Sequence, residues 1–140
     1  MAVAAAQLVL FPSMVNSIAT LSSNIFGLIS PLAKNPHTAE LQRLLEKSDI
    51  VCTIELVQKV ITDLRKPEDT SVAFILEKIR EIICQIEKEL QDVREKVNYN
   101  SSLYLLQNIR SYDCGQSLTK MEIYIAVLEK RVENLFRIIG

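Results

Sequence analysis

Charge is what the opening of this 140-residue chain lacks. From Met1 to Ala33, in "MAVAAAQLVLFPSMVNSIATLSSNIFGLISPLA", there is no Asp, Glu, Lys or Arg, and Lys34 is the first charged side chain. Tryptophan is missing altogether, and the whole chain holds 3 Gly and 4 Pro. So few turn formers and aromatics argue against a sandwich or barrel and suit helices joined by short loops. Histidine occurs once, as His37 beside Pro36, and reads as a loop residue. A metal site in a bundle needs several ligands at helical spacing, such as paired Glu-x-x-His motifs, and the chain has none. No Gly-rich phosphate loop, Gly-x-Ser-x-Gly or His-Glu-x-x-His motif is present. No catalytic, cofactor-binding or metal-ligating residue is therefore expected, no cofactor is implied, and the chain reads as a non-enzyme.

Basic excess is also missing. Lys and Arg number 16 against 17 Asp and Glu, a formal charge of −1. Nucleic-acid proteins usually carry a basic stripe, so no nucleic-acid partner is expected. Tyr99, Tyr104, Tyr112 and Tyr124 are not spaced as a base-stacking platform. The cysteines, Cys52, Cys84 and Cys114, are odd in number and fit no zinc or redox spacing. Cys52 and Cys84 fall inside helical patterns and read as small buried hydrophobes. Cys114 follows Asp113, and a neighbouring carboxylate disfavours the thiolate that a nucleophile needs. The expected location is an intracellular, reducing compartment or a virion rather than a simple secreted protein. The sequon Asn100-Ser101-Ser102 would matter only in a secreted chain.

What is present is apolar periodicity. Hydrophobic residues make up 49% and charged residues 24%, enough for one folded domain over 1–140. The opening stretch lacks the basic n-region of a signal peptide. It is also no plain membrane span, because Pro12 interrupts the apolar run and Ser, Asn and Thr are frequent. Phe11, Met14, Ile18, Leu21, Ile25, Leu28 and Leu32 recur at 3,4,3,4 spacing, widened by Val15, Phe26 and Ile29. Ser13, Asn16, Ser17, Thr20, Ser23, Asn24 and Gly27 fill the other side. This predicts an amphipathic helix over 13–32 within an uncharged segment, 1–33, that doubles as a docking element. Ala19, Ser23 and Gly27 form a small-xxx-small row, which lets another helix approach closely. Asn16, Thr20, Ser23 and Gly27 are thus the candidate partner-binding residues.

The rest repeats the pattern. The stretch "SPLAKNPHT" ends the first helix, with Pro31 and Pro36 flanking a loop and Thr38 as the next N-cap. Leu41, Leu44 and Leu45 open a second stripe. At "EKSDIV", either a new helix is capped by Ser48 or Asp49 or one helix continues. Ile50, Ile54, Val57, Ile61 and Leu64 follow at 4,3,4,3 until Pro67. From Asp69 or Thr70, a heptad seam runs through Val72, Leu76, Ile79, Ile83, Ile86, Leu90, Val93 and Val97. Phe74, Ile75 and Ile82 add flanking apolar area. "NYNSS" marks a turn, "LYLLQNIRSY" a short helix, and "DCGQS" a break with Ser117 as cap. Leu118, Met121, Ile125, Leu128, Val132, Leu135 and Ile139 complete the last seam. The expected fold is all-α: an antiparallel four-helix bundle with coiled-coil-like heptad seams and one or two short accessory helices.

Two stretches carry a resemblance. "SDIVCTIELVQKVI" before a long helix, and "YLLQNIRSYDC" leading into "LEKRVENLF", resemble small all-helical proteins of large DNA viruses, over residues 48–138. Some members of that group are virion or capsid-associated, which implies a minor capsid or virion component and carries over no individual residue. By helix number, the chain also resembles the amino-terminal four-helix domains of membrane-permeabilising cell-death pseudokinases. It lacks the basic patch that would bind anionic lipid. The expected function is a non-enzymatic structural or interaction protein, a subunit of a larger homo- or hetero-assembly that binds other protein subunits through helix faces. The alternative is a membrane-associated bundle anchored by residues 1–32.

Overall fold

The computed structural model describes residues 2–33, 38–63, 70–107 and 115–139, with side chains in 13–32, 38–63, 70–98 and 115–139. These residues form five helices: α1 (Ala2–Ala33), α2 (Ala39–Ser48), α3 (Ile50–Asp63), α4 (Thr70–Gln107) and α5 (Gly115–Ile139). The chain is an all-α bundle. α1 packs on α4 and α4 on α5, while the α2–α3 pair bridges α1 and α5. α3 and α4 share at most a marginal contact among the described residues, although only six residues separate them in the chain. Their neighbours are therefore chosen by apolar faces rather than by loop length.

The register of α4 and α5 can be read from two contacts. The Arg131 guanidinium donates to the Lys78 carbonyl at 2.6 Å, and the Lys120 ammonium lies 4.0 Å from Glu89. Eleven residues forward along α4 correspond to eleven residues back along α5, so the two helices run antiparallel. Along this pair the seams close as their spacing predicts. Leu76, Ile79, Ile83, Ile86, Leu90 and Val93 are fully buried, and Met121, Leu128 and Leu135 meet them from α5. Ile18, Ile25, Leu28 and Leu32 of α1 complete the core with Leu41, Leu45, Ile50, Ile54, Val57 and Ile61. Each such side chain contributes on the order of 1.5–3 kcal/mol of gross burial. Some seam residues fall short of burial: Met14, Leu21, Leu44 and Leu118 are half-buried, and Ile139 is exposed.

Several local expectations are corrected. α1 starts at Ala2 rather than near Ser13, and Pro12 lies within it. Proline forfeits one backbone hydrogen bond, which costs about 3 kcal/mol in a helix interior. The Ala-rich turns before it and the core-facing stripe after it outweigh that loss. Pro31 likewise belongs to the last turn of α1 and not to the following loop. "NYNSS" is no turn, since α4 continues through it to Gln107 and absorbs most of the expected short helix. The remainder of that segment, with Ile109, Tyr112 and Cys114, lies outside the described residues, as do His37 and the start of the α4 cap. Ser117 is no cap. It is the third residue of α5 and is buried.

The open choice at "EKSDIV" resolves into a break. Asp49 takes the left-handed conformation (φ 53, ψ 43) and its N–H returns to the carbonyls of Leu45 and Glu46. Asp adopts this region more readily than most residues. The Asp49 carbonyl then accepts from the Thr53 N–H at 3.0 Å, which starts α3. Thr38 does precede α2, but its hydroxyl donates backwards to the Leu32 carbonyl at 2.6 Å instead of capping. That bond ties the end of α1 to the start of α2.

Candidate functional site

The candidate face is built by the register of α1. Once Ile18, Ile25, Leu28 and Leu32 turn into the core, residues on the opposite side must face outward. Ser13, Asn16, Ala19, Thr20, Ser23, Asn24 and Gly27 are all exposed. Asn16, Thr20, Ser23 and Gly27 follow one another at 4,3,4 spacing and share one strip about 16 Å long. The structure thus brings the four sequence-selected residues together on an outward face. Ser17 stands at its margin, half-buried. Ser22 lies on the core side and is fully buried, with its hydroxyl donating to the Ile18 carbonyl at 2.7 Å.

Two details give the strip its character. A Cβ built on Gly27 meets nothing within 4 Å, so the glycine is not there to admit a neighbour within this chain. Elsewhere, the hydroxyls of Thr53, Thr62 and Thr119 donate to the carbonyl four residues back. Among the described residues, Asn16, Thr20 and Ser23 make no such side-chain bond, which leaves their polar atoms facing outward. The surface is therefore polar, small and free of charge. Its small side chains leave room for a close neighbour, and its hydroxyl and amide groups can form hydrogen bonds.

No group of three or more His, Cys, Asp or Glu side chains able to hold a metal occurs among the described residues. On α4 the Arg80 guanidinium, hydrogen-bonded to Glu77, holds that carboxyl below the usual range, and Glu77 raises Arg80 in return. Both groups lie on a partly exposed helix face, an i,i+3 pair of ordinary surface type. Glu89 differs, being 8% exposed, with its Oε1 lacking a hydrogen-bond partner among the described residues. A shallow hollow of about 240 Å³ lies where Ile29 of α1 meets Gln42, Leu45 and Glu46 of α2. The Gln42 amide there already donates to Glu46 at 3.0 Å.

Sequence reasoning misplaced the two cysteines and Phe74, and it passed over Ile123. Cys52 is exposed and Cys84 only half-buried, and both are free thiols. With Ile50, Ile54, Val57 and Ile61 inward, Cys52 falls on the outer side of α3. Phe74, expected to flank the core, is 62% exposed, whereas Ile82 is buried and Ile75 half-buried. Ile123 is 57% exposed, and its position outside the last heptad seam was the available signal.

No helix among the described residues is long and apolar enough to cross a membrane. No family model matches the chain, and neither a curated protein nor a solved structure matches it.

Proposed function

We propose that this protein is a non-enzymatic helical bundle that works by binding other protein subunits, as one component of a larger assembly. The observation that carries this reading is the outward strip Asn16, Thr20, Ser23 and Gly27, set in a segment without a charged side chain. A solvated helix normally carries Glu and Lys on its outer face, as α4 does. Small polar residues instead cost less to dehydrate than charged ones, provided they are hydrogen-bonded again, and let a second helix come close. A minor capsid or virion component is the kind of assembly this chemistry and the viral resemblance favour.

The test is the solution mass of full-length protein by light scattering after size exclusion, alone and with candidate partner subunits. Gly27→Leu should leave the bundle folded, because residue 27 is exposed and an added Cβ there meets no neighbouring element within 4 Å. It should reduce assembly by at least about tenfold in affinity while the helical signal and melting cooperativity persist, since a bulky group at an interface disrupts close packing. Assembly that is indifferent to Gly27→Leu and to Ser23→Lys would refute the reading. Recovery only in detergent, or flotation with liposomes, would move the role to a membrane surface contacted by residues 1–32.

A further inference from the structure

A different face of the bundle, independent of the α1 strip, combines exposed apolar side chains with unbalanced charge. An open groove of about 690 Å³ runs between the start of α4 and the end of α5, lined by Phe74, Ile75, Asn134, Arg137 and Ile138. Phe74 and Ile138 are 62% and 41% exposed. Ile123, Val127, Arg131, Asn134 and Ile138 step along α5 at 4,4,3,4 and form one edge. The Arg131 bond to the Lys78 carbonyl shows that this edge borders α4. Ile123 and Ile138 therefore stand about 22 Å apart on the same border, roughly four helical turns.

The charge along this border is mostly basic. Lys120, Lys130 and Arg131 sit on or beside the edge, while Glu122, Glu129 and Glu133, at 7,4 spacing, mark another side of α5. Lys78 stands over the Phe74 ring at 5.5 Å and pairs with Glu81. Arg137 pairs with Glu133, and Asp92 pairs with Lys96. Glu89 is the carboxylate nearest Lys120, and it is buried. Among the described residues no carboxylate lies within ion-pair distance of Lys130 or Arg131.

We infer that the α4–α5 groove docks an amphipathic helix of another protein that presents apolar anchors flanked by Asp or Glu. The groove is open along its length, so it would not enclose a small molecule as ligand pockets do. An open trough between two helices fits a third helix laid lengthwise. Phe74 and Ile138 accept apolar side chains within the groove, and Ile123, exposed further along the same edge of α5, extends the apolar track beyond it. The acidic flank meets Lys130 and Arg131, which supplies both orientation and salt sensitivity.

The experiment uses full-length protein and a fluorescent synthetic helix of roughly 20 residues, with Leu along one stripe and Glu along its flanks, followed by anisotropy. A second helix replaces every Glu by Lys, and a third probe is a phosphatidylcholine vesicle containing phosphatidylserine. The Glu helix should bind, and the Lys helix should bind at least about tenfold more weakly. The double change Phe74→Ala with Ile138→Ala should weaken the Glu helix by about tenfold or more, and Lys130→Glu should weaken it separately. All three positions are exposed, and unaltered thermal melting of the variants confirms that the fold is intact. Gly27→Leu should leave this binding unchanged, which separates it from the α1 strip. The inference is overturned if the Glu helix does not bind, if both helices bind alike, if the variants bind normally, or if only vesicles bind.

Discussion

The two longest helices, α1 and α4, pack on each other and obey the same inward rule, yet their outward faces have little in common. Inward, each offers apolar residues at alternating spacings of three and four; α4 buries its seam from Val72 to Val97 to within a few per cent exposure, while α1 buries Ile18, Ile25, Leu28 and Leu32 and leaves Met14 and Leu21 half-buried. Outward, α4 carries Glu77–Arg80, Lys78–Glu81 and Asp92–Lys96 pairs. α1 carries Asn16, Thr20, Ser23 and Gly27. The comparison teaches that folding constrains only the inner stripe. The outer one is left to whatever meets it, water for α4 and, in our reading, another subunit for α1.

The largest expected effects fall on the shared inner stripe. Ile25→Ala in α1 and Ile86→Ala in α4 should each destabilise the bundle by about 2–5 kcal/mol, because both sites are fully buried. Urea denaturation measures both. A loss at Ile25 much smaller than at Ile86 would show that α1 is loosely attached, and would break the equivalence of the two helices.

A smaller effect of opposite sign is expected at Glu89. It continues the line of Ile75 and Ile82 on the α5-facing flank of α4, where a buried carboxylate has one unpartnered oxygen and a long contact to Lys120. Replacing a poorly paired buried charge by an apolar group is commonly neutral or stabilising. Glu89→Leu should therefore raise the urea midpoint, by about 1 kcal/mol. A fall in the midpoint would show that Glu89 has a partner worth keeping.

The outer faces come next. Gly27→Ala should raise the stability of the isolated chain by about 0.5–1 kcal/mol, since glycine is costly within a helix and the site has room for a Cβ. Thermal melting of dilute protein would show it. A loss of stability would mean that the site is not open.

The smallest effect concerns α4. Hydrogen bonding to Arg80 lowers the folded-state pKa of Glu77, so its contribution is present above the unfolded value of about 4.3 and fades as pH falls through the folded value. Because the pair is substantially solvent-exposed, Glu77→Gln should cost no more than about 0.5 kcal/mol at neutral pH. It should cost still less in high salt or strong acid. Melting scans across pH 2–7 would expose a larger or inverted dependence.

Much of this was legible in the sequence for a stated reason. A side chain three or four residues from a buried one must share its face, so periodicity identifies Ile18, Ile25, Leu76, Ile86 and Leu128 as core without any coordinates. The same rule placed Asn16, Thr20, Ser23 and Gly27 on the opposite side. What was not legible depends on competition between local and distant terms. Pro12 and the "NYNSS" stretch carry local signals for a break, yet α1 and α4 run through them. Phe74 is apolar but sits beyond the edge of what α5 covers, and hydrophobicity alone does not reveal where a neighbour ends.

By itself, then, the sequence determined that the chain is all-helical, which stripe of each helix turns inward, and that the first helix has no charge to offer. These follow from residue type and spacing along a single helix. Only the tertiary structure decided that α4 lies between α1 and α5 rather than beside α3, that Asp49 divides two helices, that Cys52 faces out, and that Phe74 and Ile138 border one groove. Those outcomes depend on which surfaces meet across the bundle, and one helix's periodicity does not specify its neighbours.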